Sequence, residues 1–154
     1  MKITIRHTDN RNKMVMSHCS IDRLLSRMTT DDSRRTVMRF REVAPYRDRK
    51  IHNYDDMPQW RHVYPGAELK RDDNDNMVMK CCNGIITLQF GDVTDRDAIE
   101  KVKRAVAFVP STMAAFQGAD GMSVVVLVRY AGADGTLPSA EEEADRQYRI
   151  AHQR

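Results

Sequence analysis

Gly84-Ile85-Ile86-Thr87-Leu88-Gln89-Phe90 is a short apolar run of strand length, and the segments beyond it decide the fold. Ile99, Val102 and Val106 recur behind it at helical spacing. Pro110 then breaks the pattern, and Thr112 to Phe116 leads through Gln117-Gly118-Ala119-Asp120-Gly121-Met122-Ser123 into Val124-Val125-Val126-Leu127-Val128-Arg129-Tyr130. This last run is rich in β-branched residues, the composition of a central strand, and the two glycines supply a tight turn in front of it. Strand, helix and two turn-linked strands form a β-α-β-β unit, a construction common in nucleotide-handling sheets.

Outward from this unit the pattern weakens. Thr94 with Asp97 three residues on makes a capping-box-like start for the helix. After Pro138, Ser139 and Glu142 form a full capping box opening a helix that is expected to run to Arg154. That helix meets no Gly or Pro stop and ends on a basic run, so the chain is expected to be the N-terminal part of a longer protein, with downstream domains as partners. Upstream, Ala67 to Arg71 and Met77 to Cys81 flank the turn-rich Asp72-Asp73-Asn74-Asp75-Asn76, a hairpin. Tyr46 to Pro65 carries scattered aromatics and no period, and is expected to be an irregular loop. Thr30 or Asp31 caps a helix with Val37, Phe40 and Ala44 on one face, and Ser20 caps a shorter one through Ile21, Leu24, Leu25 and Met28. Lys2 to His7 alternates as a strand, with Thr8 to Lys13 as its turn.

Composition bounds the function. A chain of 154 residues, 41% hydrophobic and 31% charged, is a soluble globular domain of ordinary make-up. No apolar run approaches the roughly 18 residues that span a bilayer, so no membrane partner is expected. The N-terminus lacks the pattern of a secretory signal, and three cysteines with Cys81 next to Cys82 form no disulfide framework; a cytoplasmic location is expected. The cysteines read as small buried hydrophobes at strand ends rather than nucleophiles. No C-x-x-C, P-loop or G-x-S-x-G occurs, and the acidic turn at 72–76 has Met77 where a calcium loop needs glycine, so no metal and no cofactor is expected.

Net charge is only +3, but it is unevenly placed. Arg34, Arg35, Arg39, Arg41, Arg47, Arg49 and Lys50 stand against Glu42 and Asp48 alone. Clustered cations of this kind suit a phosphate backbone, of DNA or of RNA. The plainer reading, a solvated helix face opposite Val37 and Phe40, carries more weight.

Several short motifs resemble a known family when taken together: Asp9-Asn10-Arg11-Asn12-Lys13-Met14, Asn83-Gly84-Ile85-Ile86, Met113-Ala114-Ala115-Phe116-Gln117-Gly118, Ser123, and Asp134-Gly135-Thr136-Leu137-Pro138. The chain is similar, over nearly its whole length, to the VirE-type N-terminal domain found at the front of mobile-element and primase-helicase-like proteins of Bacteroidetes bacteria. That family in turn resembles primase and primase-polymerase palms in outline. The resemblance implies an α+β fold, a mostly antiparallel sheet with helices packed on one face, ferredoxin-like or primase-palm-like, in a single domain over residues 1–154. A full βαββαβ unit needs one more strand, either Lys2 to His7 or one beyond Arg154.

The departures from the family's pattern limit the chemistry. Palms of this kind carry an Asp-x-Asp pair at the end of the strand matching Gly84 to Phe90, to hold divalent ions against nucleotide phosphates. Gln89-Phe90-Gly91 stands there instead, so no catalytic residue is assigned. The family turn Gly-x-Ser-Gly-x-Ser-x-Lys is here Gly118-Ala119-Asp120-Gly121-Met122-Ser123-Val124-Val125. An anion site would rest on Gly118, Gly121, Ser123 and backbone NH groups, against a preferred reading as a plain tight turn. Three functions stay open: a primase-like nucleic-acid-binding domain of a mobile-element or DNA replication protein without catalytic carboxylates, an active metal-dependent nucleotidyl transferase using Asp92 or Asp120, and a protein-interaction module.

Overall fold

A computed structural model describes residues 1–9, 11, 13–30, 34–43, 61–93, 95–132 and 134–152 of the chain. Its centre is the β-α-β-β unit. Strand β6 (Ile85–Phe90) leads to helix α3 (Arg96–Ala107), then to β7 (Thr112–Gln117) and β8 (Val124–Arg129). The sheet order is β6-β8-β7, and both outer strands run antiparallel to β8. β6 and β7 are therefore parallel to one another with β8 inserted between them, a split β-α-β arrangement.

The period of two along β8 explains why that strand is apolar throughout. Leu88, Val126 and Ala115 lie in one row across the sheet and pack under Ile99, Val102 and Val106 of α3. Thr87, Leu127 and Ala114 lie in the next row, on the opposite face. There Leu127 and Ile85 meet Ile3 and Ile21. Both faces of β8 are buried, so alternation with polar residues is lost.

The second layer comes from the N-terminal region. β1 (Lys2–Thr8) is the middle of a three-stranded antiparallel sheet, with β2 (Met14–Ser20) on one side and β3 (His62–Tyr64) on the other. Helix α1 (Ile21–Met28) follows β2 directly, and Ser20 Oγ accepts from the Arg23 NH, the cap expected from sequence. A two-stranded sheet of β4 (Ala67–Arg71) and β5 (Met77–Cys82) completes the strands. Helix α2 (Arg34–Val43) lies between α1 and β3 in sequence, and α4 (Glu141–His152) closes the described chain.

Among the described residues no ladder joins the three sheets. The β6-β8-β7 sheet meets the β1 sheet through Ile3, Ile21, Ile85 and Leu127, and the β1 sheet is tied to the β4–β5 hairpin by side chains that bond main chain across the gap. Thr4 is fully buried, and its Oγ1 accepts from the Leu69 NH at 2.7 Å. His18 Nε2 meets the Leu69 carbonyl at 2.8 Å. Asn83 Nδ2 donates to the Lys2 and Pro65 carbonyls at 2.7 and 3.0 Å, while its NH donates to Gly66 O. The bonds to Leu69 NH and Pro65 O lie in part-buried places, where a main-chain group without a partner would be costly.

The mostly antiparallel α+β class is as expected from sequence, and three of its details differ. The strand Lys2–Thr8 does not complete the sheet of β6, but centres its own. Met14–Ser20 is a strand where none was expected, because Met, Ser, His and Cys give a weak β signal. Tyr46 to Pro65 was expected to be a loop, yet its end forms β3; residues 44–60 lie outside the described residues. Helix α3 covers one face of the β6-β8-β7 sheet, as expected for helices, while the other face carries the β1 sheet and α1. Among the described residues no helix is long and apolar enough to cross a membrane.

Candidate functional site

Two places along the central sheet carry polar chemistry, and they lie at its opposite ends. The first is the β7–β8 turn. Gly118 NH donates to Ser123 O at 2.8 Å, and Gly121, at φ +77°, donates its NH to Gly118 O at 3.0 Å. Asp120 organises the rest: its Oδ1 accepts from the Met122 and Ser123 NH groups at 2.9 and 3.0 Å and from the Ser123 hydroxyl at 2.8 Å. Gln89 Nε2 donates to that hydroxyl from the neighbouring strand at 3.2 Å. Ser123 is buried. A side chain on Gly118 would run into the Ser123 hydroxyl, so glycine is required by close approach.

Asp120, where the family turn has serine, is thus the residue that closes the turn. The Asp-x-x-Ser spacing of an Asx-type turn was visible in the sequence. Ser123 already donates to Asp120 and accepts from Gln89, and the Gly118, Gly121, Met122 and Ser123 NH groups have internal partners.

The turn also meets the basic segment. Arg41 of α2 donates through Nε to Ala119 O and through Nη2 to Gly118 O, each at 3.3 Å. Its side chain lies against Gly121, where a Cβ would sit 3.2 Å from Nε. Two candidate sites separated by nearly eighty residues are therefore one region. Arg34, Arg35 and Arg39 share this helix; Arg35 and Arg39 flank a shallow depression with Thr36, Met38 and Glu42, and Arg39 pairs with Glu42 at 3.4 Å on the exposed surface. Arg47, Arg49 and Lys50 lie outside the described residues.

The acids considered for transferase chemistry each lie in a loop at this end of the sheet. Asp120 is held within the turn, and Asp92 follows β6 in the left-handed region at φ +59°. Among the described residues no group of three His, Cys, Asp or Glu side chains could hold a metal ion.

The second place is a cleft of about 400 Å³ between α4 and strands β3 to β6. Val63, Leu69, Met79 and Ile85 line it, with Tyr64, Tyr130 and Tyr148. Cys82 Sγ lies 3.5 Å from the Tyr130 hydroxyl and accepts from the Gly84 NH. Burial, and then the Cys82 thiol, push the Tyr130 hydroxyl above the ordinary tyrosine range, so it is protonated at neutral pH. Glu141 and Asp145 of α4 also line the cleft. Next to it, Lys80 Nζ reaches Glu68 Oε1 at 2.7 Å and holds that carboxyl below its usual range. Cys81 is exposed and Cys82 half-buried, so the expectation of a buried pair fails for Cys81. Sequence reading missed this cleft because its residues come from five separate elements.

No curated protein and no solved structure matches the chain. The family model described as BT4734-like, N-terminal domain matches residues 56–154, which takes in both ends of the central sheet, and the chain belongs to that family.

Proposed function

We propose that this is a primase-like nucleic-acid-binding domain of a mobile-element or replication protein, related to the VirE N-terminal domains, which meets a phosphate backbone through helix α2. What supports the reading most is the seat of that helix. Arg41 fastens α2 to the β7–β8 turn by two bonds to carbonyls, which aligns a basic helix with the end of the central sheet. The exposed Arg35 and Arg39 are then presented on a fixed base, and clustered guanidinium groups suit phosphate. The split β-α-β arrangement is in keeping with a palm-like or ferredoxin-like outline. Gln89 and Gly91, in place of a carboxylate pair, favour a binder over a metal-dependent transferase.

The test is fluorescence anisotropy with labelled single- and double-stranded DNA and RNA. Binding in the range of roughly 10⁻⁴ to 10⁻⁶ M near physiological salt is expected, insensitive to sequence and weakening steeply as salt rises. Arg35→Ala with Arg39→Ala should flatten that salt dependence by close to one unit of slope for each phosphate no longer neutralised. Absence of binding at about 50 mM salt, or binding that the double variant leaves unchanged, would sink the reading and favour a protein-interaction module.

A further inference from the structure

We propose that the cleft under α4 receives a basic side chain, arginine or lysine, presented by an apolar segment of a protein partner. The inference is independent of nucleic-acid binding at the opposite end of the sheet.

The lining has two parts that together fit one kind of group. Val63, Leu69, Met79 and Ile85 make an apolar floor. Glu141 and Asp145, one helical turn apart on α4, line the same space, and no lysine or arginine lines it among the described residues. Neither carboxylate has a buried counter-ion among the described residues. Glu141 accepts from the Met79 NH at 3.4 Å, a long bond. Asp145 pairs with Arg149 at 2.9 Å, but both side chains are more than half exposed, so that pair contributes little and is readily exchanged.

Two carboxylates at the mouth of an apolar trough complement a cation carried on a hydrocarbon stem. Arginine and lysine have that build, laying methylene groups along apolar surface while the charged head meets the rim. Tyr64, Tyr130 and Tyr148 add aromatic surface, on which a guanidinium packs favourably. The molecule already makes one such contact, since Arg6 lies 5.9 Å from the centre of the Tyr64 ring. The cleft is open to solvent, which admits a side chain still attached to its backbone. A neutral apolar ligand would make no use of the carboxylates' charge, and an anion would be repelled.

Nuclear magnetic resonance titration of the chain with three probes tests this: acetyl-Leu-Arg-Leu-amide, the same peptide with uncharged citrulline for arginine, and N-butylguanidinium. The arginine peptide should bind at least about tenfold tighter than the citrulline peptide, shifting the resonances of Ala144, Tyr130 and Met79. Glu141→Gln with Asp145→Asn should remove that preference without lowering the melting temperature. Equal affinity for the two peptides, shifts outside the cleft, or no saturable binding would overturn the proposal. Butylguanidinium binding as tightly as the peptide would assign the cleft to a small organic cation and overturn the protein partner. DNA or RNA binding should be unchanged in the Glu141/Asp145 variant, so failure of either proposal leaves the other standing.

Discussion

The two ends of β6 face opposite problems. At Phe90 the strand runs toward a turn in which Asp120, Ser123, Gln89 and the backbone satisfy one another, and a basic helix is fastened on top. At Ile85 it opens on a cleft whose floor is apolar and whose rim is acidic. In the first place polar groups converge and are consumed by structure, so any binding depends on charge laid over the surface. In the second, space remains and the carboxylates are only loosely partnered. A conspicuous glycine motif thus has its polar groups bonded internally, while the less conspicuous end keeps open space.

Two glycines bracket β6 and put this contrast to its hardest test. Gly84 sits at φ +61°, and a Cβ there would meet Tyr130 O at 2.6 Å as well as the Leu137 side chain. Gly91 has nothing within 4 Å of a Cβ and no positive φ. Gly84→Ala is expected to cost roughly 2–4 kcal/mol in urea unfolding, and Gly91→Ala to stay within about 0.5 kcal/mol of wild type. Similar costs at both would mean that the cleft end is not as tightly built as described.

A smaller effect is expected at the turn. Ser123→Ala deletes a hydroxyl that donates to Asp120 and accepts from Gln89, leaving both in a half-buried place with one partner fewer. The cost should be about 1–2 kcal/mol. A change below about 0.3 kcal/mol, read from the urea midpoint, would show that the network is ornamental and that Ser123 is available for a ligand.

The smallest concerns Glu68 beside the cleft. Its carboxyl is held below the usual range, chiefly by the hydrogen bond from Lys80. A depressed carboxyl contributes stability above its unfolded value of 4.5 and loses it as pH falls through the folded value. Lys80 is shifted upward by the same bond, so its share is present at neutral pH and lost only in strong alkali. Melting temperatures between about pH 3 and 7 should therefore fall less steeply toward acid in Glu68→Gln than in wild type. Parallel curves would exclude the pair as a source of acid sensitivity, and the exposure of Lys80 keeps the expected difference small.

The parts of the fold that sequence revealed are those whose signal is local. Val124 to Val128 declares a central strand because both its faces are buried, and Ile99, Val102 and Val106 declare the helix over it. The cap of α1 at Ser20 follows from one side chain and one NH. The start of α3 was misplaced: Asp95 accepts from the Asp97 and Ala98 NH groups. Thr94, expected in that role, lies outside the described residues. What escaped depends on distance. Met14–Ser20 becomes a strand because β1 lies beside it, not through its own propensity. The bond from Arg41 to Gly118, and the joining of Lys2 to Pro65 through Asn83, leave no trace in spacing or period.

Family membership adds to what the binding experiment can teach. The matched residues, 56–154, contain both ends of the central sheet, whereas α2 at 34–43 precedes them. Loss of nucleic-acid binding in the α2 variant would place the contact in a segment outside the matched residues.

The insertion of β8 between β6 and β7 also sets the order in which this sheet is able to form. As the chain emerges during synthesis, β6 and β7 both precede the strand that they pair with in this sheet. The β7–β8 hairpin closes over six intervening residues, 118–123, while β6 must wait across α3 and the whole hairpin. Loop closure therefore costs less entropy for the β7–β8 pairing, across the short turn held by Asp120 and Ser123, than for the pairing of β6 with β8. Until β8 pairs with them, two strand edges stand open together, and the speed with which that turn closes limits how long they are exposed to other chains.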